Sequence, residues 1–462
     1  MPALQPCSPT LRFLETNEAA SNMKSFFYDI AEQLFKHLRA NEWSEIYFSS
    51  ESSNFVRINK SQIRQPGHVT QHFLTLRLGS GQKKISSTFT ISGNLQDDLK
   101  KASSELATLR NEIPQAPEDP YLVKIAQSIQ VESESASILP THAQALDALL
   151  SRSKKLDLVG LYTSGDIYRG FASSFGQRNW FSSRSFQLDW SLFHRADNAL
   201  KSSFMGNSWN EEAFETKWQE NSEQFDILER PRKTLSPGNY RIFLTPSAVD
   251  EVVKLLSWNA FSIKALKNKT SSFLKLAAHE EHMNPNLTIQ ENISLGISPT
   301  FNAHGDMKPD QTALVEKGEY MNSLISTRSS NEFNMKGNAA EDHESPTSLE
   351  VKAGNLARSR ITQELHTGIF VNNLWYMNYS DRSTCRTTGM TRFATFWVEN
   401  GKISHPIQVL RFDESLFRAL GTNLEQLTQD REMILSNDTY GERKAHCALL
   451  PGALINDFNF CQ

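Results

Sequence analysis

Metal-ligating chemistry in this sequence concentrates in one short stretch, "KLAAHEEHMNP", where His279 and His282 flank Glu280 and Glu281. A zinc hydrolase of the HExxH type needs two histidines four apart on one helical face, with a glutamate beside the metal-bound water. Counting from His279, the fourth and fifth positions on are Met283 and Asn284, and neither replaces an imidazole. Pro285 also stops any helix almost at once. No CxxC or HxH lies near to complete a structural site. The expectation is therefore that His279 and His282 are solvated loop residues holding no metal.

Other groups were weighed as chemistry. "TCRTTGMTRF" carries Thr387, Thr388, Gly389, Thr391 and Arg392. A nucleophilic hydroxyl needs a base within hydrogen-bond reach, and the spacing supplies none, so no catalytic residue is assigned. Thr388, Gly389, Thr391 and Arg392, with His366, are instead candidates for lining a peptide groove. Gly389 would admit a substrate backbone and Arg392 would pair with a carboxylate. Trp375, Tyr376 and Tyr379 fit core or interface anchors. The single glycine of "FASSFGQ" is too few for a phosphate loop.

The elements that position these groups follow from pattern. The 462 residues are too many for one small core, so several domains are expected. A net charge of -4 leaves no concentrated basic surface for nucleic acid. The four cysteines (Cys7, Cys385, Cys447 and Cys461) are scattered, which suits a reducing cytoplasm rather than a disulfide framework. No run approaches the length of a membrane span, and the first residues lack the apolar core of a secretory leader.

Residues 1–22 are polar and expected to fray. Residues 23–112 read as a small α+β unit. Phe27, Ile30, Ala31, Leu34 and Leu38 form a helical stripe, followed by four strands ("EIYFSS", "NFVRIN", "VTQHFLTLRL", "KISSTFTIS") and a helix near 94–110. Pro114, Pro117 and Pro120 mark a boundary, and a middle unit spans 121–230. The third unit, 236–462, opens with a strand at Tyr240–Leu244. Thr245 caps the next helix, Pro246 takes its first position, and Val249, Val252, Val253 and Leu256 form its buried stripe. Hairpins are expected at Lys317-Gly318 and Asn400-Gly401, the latter with the positive φ of a type I′ turn. The class is α+β, with antiparallel sheet dominating the C-terminal unit.

That unit resembles a known family. "PGNYRIFLTPSAVDEVVKLL", "KTSSFLKL", "NPNLTI", "ITQELHTGIFVNNLWYMNYS" and "LLPGALINDFNF" look like the C-terminal domain of the TldD/PmbA family, and a looser likeness extends back through "FVRINKSQIRQ". The resemblance implies a metallopeptidase-related fold. It also implies two kinds of subunit: a TldD kind with a zinc-binding HExxxH motif, and a TldE (PmbA) kind without it. In this chain Ser257, Trp258 and Ser262 stand at the places of the first histidine, the glutamate and the second histidine. The family's late cysteine ligand falls near Ser436 and Asn437 rather than at Cys447. By resemblance, then, this is a TldE-like subunit with no cofactor of its own, partnered by a TldD-like zinc peptidase that acts on unfolded peptides, and left to pair with itself when alone. Two alternatives stay open: a self-sufficient hydrolase around Thr388 or His366, and a binding role of the kind named by the family's DNA gyrase modulator label.

Overall fold

The computed structural model describes residues 9–195 and 198–461. The first half runs α1 (Pro9–Lys36), β1 (Glu42–Asn59), β2 (Gln62–Ser80), β3 (Lys83–Ile91), α2 (Leu95–Glu112), β4 (Gln130–Glu134), α3 (His142–Leu150), β5 (Asp157–Ser173), β6 (Arg178–Arg195), β7 (Asn198–Gly206) and α4 (Glu211–Ile227). The expected frayed tail is helical from Pro9. Pro9 suits a first helical turn, and no glycine or further proline interrupts the chain to Lys36. Residues 1–8 lie outside the described residues.

These strands make one seven-stranded sheet in the order β3-β2-β1-β5-β6-β4, with β7 also on β6. The structure differs from the expected partition here. β1 pairs antiparallel with β5 from Glu45↔Ser173 to Ile58↔Gly160, so the units 23–112 and 121–230 share a single sheet. The three prolines mark a connection that lacks local hydrogen bonding; which strands pair across it is a non-local matter. The two strands expected in 45–59 are also one. The polar stretch between them does not break β1, because Glu51 and Ser53 are buried and paired. Ser53 Oγ donates to Glu51 Oε2 at 2.6 Å, and Gln71 Nε2 donates to Oε1 at 2.5 Å.

Side chains alternate across this sheet. One face carries Ile46, Phe48, Val56 and Ile58 and packs beneath the four helices, against Phe27, Ile30, Leu106, Leu149, Phe214 and Trp218. Asn94 caps α2 by accepting from the amides of Gln96 and Asp97. The other face is polar yet buried, with Glu45, Glu51, Ser53, Thr163, Arg169 and Ser185 all less than a tenth exposed.

The second half covers that polar face. It comprises β8 (Gly238–Leu244), α5 (Pro246–Leu256), α6 (Ile263–Lys267), α7 (Leu274–Ala277), β9 (Ile289–Asn292), β10 (Gln311–Glu316), β11 (Glu319–Tyr320), α8 (Thr327–Phe333), β12 (Ser348–Val351), α9 (Ile361–Leu365), β13 (Gly368–Asp381), β14 (Arg386–Glu399), β15 (Lys402–Pro406), β16 (Arg411–Ser415), β17 (Leu424–Leu435) and β18 (Cys447–Phe460). Its eleven-stranded sheet is mostly antiparallel. β18 pairs with both β16 and β8, so β8, β13, β14, β16 and β18 close into a ring. Thr245 Oγ1 caps α5 through the amide of Ala248, and Val249, Val252, Val253 and Leu256 are buried as the stripe requires.

Asn400 and Gly401 join β14 to β15 with φ of 52° and 74°. A Cβ on Gly401 would lie 3.3 Å from Gln363 Cα. We expect Gly401→Val to destabilise the fold by about 1–3 kcal/mol, because a β-branched residue resists this conformation. An unchanged thermal midpoint would refute the strain.

Candidate functional site

At the metal slot the serines have other partners. Ser257 is the C-cap of α5, and its hydroxyl donates to Val253 O at 2.7 Å. Ser262 is buried at the start of α6. Its hydroxyl donates to Glu344 Oε2 at 2.6 Å and accepts from the amide of Ala265. Glu344 also takes hydrogen bonds from the Ser326 amide and hydroxyl and from the amide of Lys264. Trp258 is half exposed, edge-on to Tyr379. This donor set does not fit zinc: two hydroxyls bonded elsewhere and an indole offer neither the basicity nor the convergence the ion needs.

His279 and His282 are exposed, as expected. Their Nδ1 atoms lie 3.3 and 2.8 Å from the two oxygens of Glu319 on β11. The His282 and His279 hydrogen bonds hold the Glu319 carboxyl below its usual range. Among the described residues, no group of three or more His, Cys, Asp or Glu is placed to hold a metal ion.

The groove candidates do not converge. Thr388 pairs with Asn378 and its hydroxyl donates to Phe412 O at 3.0 Å. Thr391 is buried and accepts from the amide of Leu410. The space beside Gly389 is filled by Phe412 and Met377, so its missing side chain serves internal packing and not a substrate. His366, the C-cap of α9, precedes the opposite end of the β13–β14 hairpin, roughly 30 Å along the strand from Thr388. Of the five, His366 is exposed, Thr388 and Arg392 are half-buried, and Gly389 and Thr391 are buried. The Arg392 guanidinium stacks 4.1 Å from the half-exposed Trp375, beside the exposed Tyr376. The thiols of Cys385 and Cys447 are each pushed up to about 12 by burial, which makes poor nucleophiles.

What the fold does create is a cleft where the polar face of the first sheet meets the C-terminal domain. A cavity of about 470 Å³ lies between α4, β7, the start of α5, α9 and β17. One wall is apolar (Ile227, Phe243, Phe370). The other holds Lys217 bound by both oxygens of Glu432, and Arg358 bound to Glu220. Burial disfavours the Glu432 charge, but Lys217 and Arg358 outweigh it and hold the carboxyl low. Through Lys201, Ser202 and Ser247 this cavity continues into a small recess with Asp189, Asp250 and Lys254. There burial raises both carboxyls, offset in part by Lys201 for Asp189 and by Lys254 for Asp250. Asp189 also lines a concavity of about 510 Å³ that Arg57 and Arg64 border.

Arg443, from the β17–β18 connection, closes the middle of the interface. Its guanidinium donates to Gly165 O and Ser185 Oγ, both at 3.2 Å, and lies 4.0 Å from Glu51. Sequence reasoning missed all these cleft residues, because they come from separate elements with no shared spacing. The nearest signal was the charged positions inside otherwise apolar strands, such as Asp189 in "FQLDW".

A ring-closing β-rich domain packed over a helix-backed sheet makes this an α+β protein of two joined sheets. Residues 237–461 match the sequence model described as the PmbA/TldA metallopeptidase C-terminal domain. On that match the C-terminal domain of this chain is of the PmbA/TldA metallopeptidase kind. Solved structures agree in fold over nearly the whole chain. TldE from Thermococcus kodakarensis superposes with a TM-score of 0.73 at 12% identity, covering 94% of this chain and all of that one. A proposed modulator of a DNA gyrase from Thermotoga maritima gives 0.72 at 13%, with the same coverage. Another, from Bacteroides thetaiotaomicron, gives 0.66 at 14%, over 96% of this chain and 98% of that one. No curated protein matches the sequence. No helix among the described residues is long and apolar enough to cross a membrane.

Arg443→Met should cost about 3–5 kcal/mol, since it leaves Glu51 buried without its counter-charge. Arg392→Ala, at a half-buried position stacked on Trp375, should cost about 1 kcal/mol or less. Urea unfolding of both variants checks the contrast, and equal losses would refute the assigned role of Arg443.

Proposed function

We propose that this chain is a TldE-like, zinc-free subunit that helps a TldD-like zinc peptidase hold unfolded peptides. One observation carries the reading: the side chains at the metal slot are engaged in the fold, Ser262 in the Glu344 cluster and Ser257 in the end of α5. The interdomain cleft supports it further. Apolar and hydrogen-bonding walls side by side suit a chain that presents both side chains and backbone amides. The partner surface is assigned to the β13–β14 end, where Trp375 and Tyr376 stand exposed beside Arg392. Aromatic residues and arginine are the residue types enriched at interface centres.

The self-sufficient hydrolase has less support. The Thr388 hydroxyl is donated to a backbone carbonyl, and His366 lies at the far end of the hairpin.

The test is co-expression with an HExxxH-bearing relative, followed by size exclusion, metal analysis and cleavage of an unfolded peptide. The complex should cleave. This chain alone should hold no stoichiometric zinc and should not cleave, and Trp375→Ala/Tyr376→Ala should weaken assembly. Peptide cleavage by the chain alone, insensitive to chelator, would overturn the reading.

A further inference from the structure

The far end of the cleft has a charge pattern that the peptide reading leaves unexplained. Arg57 on β1 and Arg64 on β2 both line the 510 Å³ concavity, and both side chains are exposed. Among the described residues, neither makes a hydrogen bond or an ion pair. Most of the chain's other arginines near this interface are committed: Arg77 donates to Ala303 O, Arg169 lies 3.4 Å from Glu442, and Arg443 bonds Gly165 and Ser185. Two free guanidiniums lining one concavity are an anion receptor without an internal anion.

The surroundings narrow the anion. The floor is apolar, with Val159 exposed and Leu161 next to it. The register Arg57↔Leu161↔Asp189 puts Asp189 two strands away from Arg57, about 10 Å. An apolar floor beside the two arginines suits a carboxylate followed by an apolar body. Asp189 also lines the recess that holds Lys201 and Ser247, and those two residues line the large cavity in turn. An extended chain of about four to five residues spans the distance from Arg57 to β7, about 14 Å.

The end wall is also rigid. Lys60 and Ser61 turn β1 into β2 with φ of 51° and 54°. That turn is clamped to β5: the Ser61 amide donates to Leu158 O at 3.0 Å, and its hydroxyl donates to Leu156 O at 2.7 Å. A receptor held in place loses less entropy on binding.

We infer that Arg57 and Arg64 form a carboxylate anchor that fixes the C-terminal end of a peptide lying along the cleft. This rests on the peptide-binding reading above and adds polarity to it: the chain enters with its free carboxylate at the β1–β2 turn and its preceding residues toward α5.

The experiment uses the full chain and fluorescent unfolded peptides in three forms: free C-terminal carboxylate, C-terminal amide, and C-terminal amide with a glutamate as last residue. Binding is read by anisotropy at low salt. The free acid should bind about tenfold tighter than the plain amide. Arg57→Gln/Arg64→Gln should abolish that difference while leaving amide binding unchanged. A glutamyl amide that binds as tightly as the free acid would assign the anchor to acidic side chains, overturning the end-reading form of the proposal. Equal binding of acid and amide by the unaltered chain, or a preference that survives in the double variant, would overturn the anchor. If no peptide binds at all, the peptide reading falls. The anchor is then decided by titrating N-acetyl-leucine and its amide while following the side-chain Nε resonances of Arg57 and Arg64. Shifts with the acid only support the anchor, and no shift refutes it.

Discussion

The architecture turns on a sheet face that is polar and yet buried. Long strands that alternate apolar and polar residues ordinarily leave the polar side in water. Here the C-terminal domain lies over it, so each buried donor, acceptor and charge on that side needs a protein partner. Arg443 reaching Glu51, Ser185 and Gly165 answers part of that demand. Asn179 Nδ2 donating to Gly305 O, and Arg77 donating to Ala303 O, answer more. Such directional contacts fix how the two halves sit far more narrowly than apolar packing would.

The cleft follows from the same constraint. Where partners are supplied, the halves close. Where the C-terminal domain stops short, the polar face stays open and its charges line a passage. Asp189 with Lys201 on one side and Asp250 with Lys254 on the other pair within their own halves, at 3.7 and 2.5 Å. Each half thus balances its own charge, and the space between them can admit a ligand without leaving an ion stripped of its partner.

The residues at the positions that the family resemblance gives to the metal are built into local structure. Ser262 belongs to a compact cluster around the Glu344 carboxylate, which receives hydrogen bonds from two hydroxyls and two amides. A carboxylate so surrounded ties α6 to the start of α8. The position is therefore integral to local structure, and a histidine there would leave those donors and acceptors to be satisfied anew.

The sequence by itself determined what depends on neighbours in the chain. The Thr245-Pro246 start of α5, its buried stripe, the extent of α2 and the Asn400-Gly401 turn are local matters of φ, capping and periodicity, and they were legible residue by residue. So was the family of the C-terminal domain, because its motifs are contiguous. What only the tertiary structure decided is non-local. It showed that β1 pairs with β5 across the proline-rich connection, merging two expected units into one sheet. It filled the space at Gly389 with Phe412 and Met377, removing it from any groove, and it kept His366 far from Thr388. It brought Arg57, Asp189, Lys201 and Asp250 to one cleft from β1, β6, β7 and α5. The physical reason is that periodicity tells which face of a strand is polar but not what will cover it. Only the pairing of strands more than a hundred residues apart fixes which charges share a space.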